Sequence, residues 1–170
     1  AKQRDTLATG VRPVLEQAAQ AGGQMAMSLL SLHGSPSDAS QEVEELAKAM
    51  AEEVAGQLRT RLEAALDEHR GEDYAALAEA VSPAFREWKS DKADLMASEY
   101  AAAAFALGTW RAVPRTSTLR WVVEDVAGAC PDCDDNALAG ALPRGEVFPT
   151  GQLRPPAHPG CRCLLVPAPG

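Results

Sequence analysis

Two short clusters of soft metal-ligand residues lie near the C-terminus: Cys130-Pro131-Asp132-Cys133, then His158-Pro159-Gly160-Cys161-Arg162-Cys163. They contain all four cysteines of the chain. Two ligands separated by two residues make a tight corner whose side chains converge on one ion, and two such corners complete a tetrahedron. The clusters echo each other, since Cys-Pro-x-Cys and His-Pro-x-Cys share both spacing and proline. By that echo the metal set is Cys130, Cys133, His158 and Cys161. Cys163 is then a spare thiol, or a substitute for Cys161 or His158. A sulfur-rich donor set favours Zn2+ over calcium or magnesium. Disulfides or free thiols are the competing reading, and an iron–sulfur cluster fits a His-Pro-x-Cys arm less well. The N-terminus does not read as a secretion signal, and without one, paired short spacings favour metal over disulfides.

A catalytic zinc keeps one coordination position open for water, whereas a structural zinc fills all four with protein. Five candidates for four positions point to a structural role. His33 and His69 are isolated on helical ground, more in keeping with surface or cap residues than with ligands. Glu124-Asp125 and Asp134-Asp135 flank the first corner and suit turn residues or hydrogen-bonding partners of the ligands. No nucleophile–base pair, glycine-rich phosphate loop or acidic dyad is recognisable, so the chain does not read as an enzyme.

The elements that must position these ligands follow from periodicity. Residues Val11 to Leu32 read as a helix with a flexible point at Gly22-Gly23, and Gly34 to Asp38 as a break in which Ser37 or Asp38 starts the next helix. From Gln41 to Arg70, Val43, Leu46, Met50, Val54, Leu58, Leu62 and Leu66 form one apolar stripe. That stripe packs on the other helices or serves as an assembly surface. A further helical block runs from about Tyr74 to Trp110 with an interruption near Ser82-Pro83. Trp88, Tyr100, Phe105 and Trp110 are its anchors, and the alanines 101–104 permit close helix approach. Thr116 to Val126 reads as a strand, and Val147-Phe148 and Leu164 to Val166 as shorter ones. Between them glycine, proline and polar residues dominate. Such a stretch buries too little apolar surface to offset its ordering entropy unaided and needs a staple.

The expected fold class is α+β, mostly α: a helical body over 1–114, then a small zinc-stapled β-hairpin module over 115–170. The net charge of −8 lies entirely in residues 1–110, with eighteen acids against ten bases, while residues 111–170 carry six of each. An acidic helical half is a poor phosphate-binding face, although the six arginines of the neutral half, Arg111, Arg115, Arg120, Arg144, Arg154 and Arg162, leave room for a local patch. No apolar run is long enough to span a membrane.

With these residues in view, a family likeness emerges. The alanine-rich helix 93–110, Trp121, Cys130-Pro131-x-Cys133, Gly145-x-x-Phe148-Pro149, and His158-Pro159-x-Cys161-Arg162-Cys163 together resemble the C-terminal domain of the phage Mu F-like minor head proteins, the phage head morphogenesis family. The resemblance covers about 95–167. It implies a virion component carried inside the head in low copy number. Such a component associates with the portal protein and other capsid proteins and takes part in assembly, packaging or ejection of DNA. It also implies host cytoplasm as the site of assembly, and some family members carry a toxin domain beyond this module. Two features depart from the pattern: Ala97-Ser98-Glu99 stands where relatives often have an Arg-Thr-Glu-type motif, and the 134–144 loop is longer. A zinc-ribbon-like nucleic-acid-binding module and the delivery part of a toxin-bearing capsid protein are the alternatives.

Overall fold

Alanine and leucine at helical spacing build three long helices: α1 (Lys2–Leu29), α2 (Ser40–Glu68) and α3 (Tyr74–Ala112). They appear in a computed structural model of the chain that describes residues 2–123 and 130–168. α1 packs on both α2 and α3, and α2 packs on α3. Leu15, Ala19, Val43, Ala47, Ala104 and Leu107 form the core among them.

Gly22-Gly23 is not a flexible point but the place where α1 and α3 come closest. A Cβ on Gly22 would stand 2.0 Å from the carbonyl oxygen of Phe105, and one on Gly108 would stand 1.8 Å from that of Ala19. Backbone atoms cannot step aside, so this crossing requires glycine on both helices. Thr109 seals it, with its buried hydroxyl donating to the Gly22 carbonyl at 3.2 Å. The expected interruption at Ser82-Pro83 is also absent, for α3 continues through Pro83. A proline removes one ladder bond, about 3 kcal/mol in a helix interior. The long helix absorbs this because Asp73 caps its start, accepting from the Ala76 N–H at 3.0 Å, and alanine-rich turns flank the site. At the start of α2, Ala39 occupies the cap position without a side-chain bond, while Asp38 accepts from the Ser40 N–H at 2.9 Å.

The α2 stripe divides along its length. Val43 is buried, Leu46, Met50, Val54, Leu58 and Leu62 are half-buried and Leu66 is 42% exposed, while Ala47 and Ala51, outside the expected stripe, are buried beside it. Trp88 is buried on α3, with its indole N–H donating to Gln57 on α2. Tyr100 donates to Glu53 at 3.0 Å, and burial together with that bond keeps its phenol protonated well above the ordinary range.

After α3 the chain forms β1 (Thr118–Val122), α4 (Pro131–Leu138), β2 (Ala141–Pro143) and β3 (Leu164–Ala168). β1 is the centre of a three-stranded antiparallel sheet of order β2-β1-β3, with Leu119 opposite Leu142 and Trp121 opposite Leu165. The tail is thus a sheet with a helix, in place of the expected hairpin. The α+β, mostly α character of the chain as a whole stands. The expected strand to Val126 is confirmed only as far as Val122, and positions 124–126 lie outside the described residues. Val147-Phe148 forms no strand. Phe148 instead turns inward and meets Trp121 edge to face, with ring centroids 5.1 Å apart. Alternation on β1 sends Leu119 and Trp121 inward and leaves Arg120 and Val122 outside. The inward residues share one core with Ala26 of α1 and with Ala106 and Val113 at the end of α3. The tail is therefore not held by a staple alone, since it borrows apolar surface from the helical body.

Candidate metal centre

The first ligand pair is built into a helix start. Pro131 fits the first helical position because it has no N–H to leave unpaired, and Asp132 and Asp134 suit the positive end of the dipole. Cys130 is the N-cap of α4, its sulfur accepting from the Cys133 N–H at 3.3 Å. The expected knuckle is thus the first turn of α4, and the loop judged long, 134–144, is that helix plus β2. One turn of helix brings both sulfurs to the same side, which is what a chelate needs.

The second cluster forms a turn that α3 holds in place. Gly160 takes a positive φ of 78°, and its N–H donates to a Glu99 carboxylate oxygen at 2.6 Å. The Cys161 N–H closes the turn on the His158 carbonyl at 3.1 Å. Cys163 directly precedes β3 and is buried in the core. His158 Nδ1 stands 2.8 Å from the Pro159 carbonyl; a proton there leaves the Nε2 lone pair facing the sulfurs.

The five side chains converge. His158 Nε2 is 3.0 Å from the Cys130 sulfur and 3.1 Å from that of Cys133. The Cys133 and Cys161 sulfurs are 3.8 Å apart. Cys130, Cys133 and His158 make one group whose ligand atoms lie within 4.8 Å of each other, and Cys133, Cys161 and Cys163 make a second. Cys133 belongs to both. Tetrahedral zinc with sulfur at ~2.3 Å and nitrogen at ~2.0 Å gives edges of about 3.8 Å for S···S and about 3.5 Å for S···N. The sulfur edge already matches, and His158 would need to move outward by about 0.5 Å. Five donors, three of them buried cysteines, fit a soft metal ion.

The electrostatics set a condition on any such ion. Burial pushes the Cys133 thiol far above its usual range, and the neighbouring thiols of Cys130 and Cys163 add to this. Burial raises Cys163 as well, opposed in part by the Trp121 indole beside it. Protonated thiols are poor ligands, so a divalent ion held here would have to displace these protons.

Supports that carried no recognisable signal in the sequence surround the centre. Asn136 is wholly buried; its side-chain N–H donates to Thr150 Oγ1 at 2.8 Å and its oxygen accepts from the Thr150 N–H at 3.1 Å. It pins α4 to the turn that carries Phe148. His69 stays remote from the centre, at the C-cap of α2, 3.1 Å from Glu72. Asp134 and Asp135 are exposed on α4, while Glu124 and Asp125 lie outside the described residues.

Comparison with known proteins finds no matching family model, no similar curated protein and no similar solved structure. Among the described residues no helix is long and apolar enough to cross a membrane.

Proposed function

We propose that this chain is a structural minor head protein of a tailed phage or prophage-derived particle, seated inside the capsid near the portal, with a zinc ion fixing its C-terminal module. The observation that carries this reading is the convergence of the Cys-x-x-Cys and His-Pro-x-Cys-Arg-Cys segments on one centre. The middle part of the motif supports it too. Gly145 has a positive φ of 108°, and Phe148 is buried on Trp121. Trp121, Phe148 and the two ligand segments thus lie together in one module, which supports the reading.

Within this reading Cys130, Cys133, His158 and Cys161 hold the zinc, as the echo of the two corners suggests, with contacts through Cys133 and His158 in support. Cys163 flanks them. The ion supplies cross-linking rather than chemistry, joining α4 to the 158–163 turn. The helical body offers its faces to the portal and other capsid proteins, and several copies enter each particle.

Two measurements test this. Elemental analysis of purified chain should find about one zinc per chain, the stoichiometry of a single tetrahedral site. In lysates of producing cells the chain should sediment with heads and pull down the portal protein. A chain that stays wholly in the soluble fraction while heads assemble normally without it would refute the capsid role, whatever its metal content.

A further inference from the structure

The C-terminal end of α3 gathers positive charge that the metal centre does not use. Trp110 and Arg111 lie in its last turn, Arg115 follows the Val113 cap, and Arg144 leaves β2 beside the same connection, its N–H donating to the Ser117 carbonyl at 2.9 Å. The Arg144 guanidinium lies over the Trp110 indole, 4.3 Å from the ring centroid, and its Nε donates to the Trp110 carbonyl at 2.9 Å. So far a structural role suffices, because a cation here satisfies a terminal carbonyl at the negative end of a helix.

That role does not account for the neighbouring arginines. Burial holds the Arg144 guanidinium below its usual range, and Arg115 and Arg111 lie near enough to add repulsion. Glu42 pairs with Arg111. Asp38 lies within reach of Arg111 but is occupied chiefly by Ser40. Among the described residues no carboxylate forms an ion pair with Arg115 or Arg144, and the buried Arg111 Nε has no acceptor. Three guanidiniums with one paired carboxylate are unusual in a chain of net charge −8. Partly buried like charges repel, and an anion with several acceptor oxygens removes that repulsion while filling the guanidinium forks. Stacking on Trp110 fixes the plane of Arg144 in advance, which lowers the entropy lost on binding.

The geometry points to a phosphate-binding site formed by Arg111, Arg115 and Arg144 at the α3–β1 connection. The ligand chemistry is a phosphate group, supplied by a nucleic-acid backbone or as free phosphate. The site does not depend on whether the chain works in a phage head.

Arg115→Gln is the informative variant, since Arg115 is exposed and makes no ion pair among the described residues, so its replacement leaves the fold intact. The metal-loaded full chain is titrated calorimetrically at low salt with inorganic phosphate and, separately, with a short DNA duplex. The inference expects binding that Arg115→Gln weakens by about tenfold, with the melting temperature unchanged. Duplex binding whose log–log salt slope is near −3 and falls by about 1 in the variant identifies the nucleic-acid backbone as the source. Phosphate binding without duplex binding identifies the free anion. Either result supports the site. Failure of both probes to bind, or binding that Arg115→Gln and Arg144→Gln leave unchanged, overturns it.

Discussion

Cys133 is the residue on which the centre turns, because it alone belongs to both ligand groups. Cys133→Ser should abolish zinc binding, measured by metal content after gel filtration. Cys163→Ser should retain about one equivalent, because the other four donors complete a tetrahedral set without it. Retention of zinc by Cys133→Ser would show that the metal set excludes the one cysteine common to both groups. Glu99 tests the support from outside. Its carboxylate accepts from the Gly160 N–H at 2.6 Å, a charge-assisted bond worth roughly 1.5–3 kcal/mol. Glu99→Gln keeps the shape and loses the charge. Zinc affinity should therefore fall about tenfold, toward the lower end of what lost support around a metal ligand costs. A competition titration against a chelator of known affinity reads this directly. Glu99 lies on α3, so this bond is also where the helical body and the metal turn communicate.

At the scale of elements, the crossing of α1 and α3 depends on two hydrogen atoms in place of two methyl groups. Gly22→Ala or Gly108→Ala forces a Cβ into a backbone carbonyl, and the helices must separate along the line that buries Ala19, Ala26 and Leu107. Overpacking of this kind costs about 1–3 kcal/mol. In a chain of this length the melting temperature should drop by about 2–4 °C per kcal/mol. Gly56→Ala is the control, because a Cβ there meets nothing and alanine is the better helix former. Equal melting temperatures for Gly22→Ala and Gly56→Ala would show that the close approach does not bear on stability. The same pair explains how far the sequence could be read. The three helices, the β1 position and the Cys/His pairs announce themselves through periodicity and spacing. A glycine pair, however, has the same local signature in a hinge and in a tight crossing, and only the partner helix tells them apart. Pro83 misleads for the converse reason, since its local cost is real but a capped, alanine-rich helix absorbs it. α4 escapes notice because its eight residues carry no apolar stripe and owe their shape to Cys130, Pro131 and Asn136. Phe148 follows Val147 as a strand residue would, but its partner is Trp121, distant in sequence.

For the molecule as a whole, the shared core changes what metal removal should do. Trp121, Phe148 and Leu165 are buried together with Ala26, Ala106 and Val113 of the helices, and each large side chain contributes about 1.5–3 kcal/mol by burial. Chelation should therefore release the 130–138 and 157–163 segments, read by hydrogen exchange, while α1, α2 and α3 keep their protection. The pH dependence of stability should then reverse sign between the two forms. In the metal-free fold, burial raises the Cys133 and Cys163 thiols above their ordinary value. Unfolded thiols ionise near about 8.5, so above that pH the unfolded state holds fewer protons than the folded one. Stability must then fall as pH rises, and it is fully present below the unfolded value. With an ion bound as proposed, its ligand sulfurs would be thiolates in the folded state, while the unfolded chain still takes up protons as pH falls. Stability is then present above the unfolded values and is lost as acid protonates the sulfurs and releases the ion. Urea melts from mildly acidic to mildly alkaline pH, with and without chelator, should give slopes of opposite sign that cross. Parallel slopes would mean that no ion is held by the buried sulfurs, since binding a cation there is what inverts the proton balance of the fold.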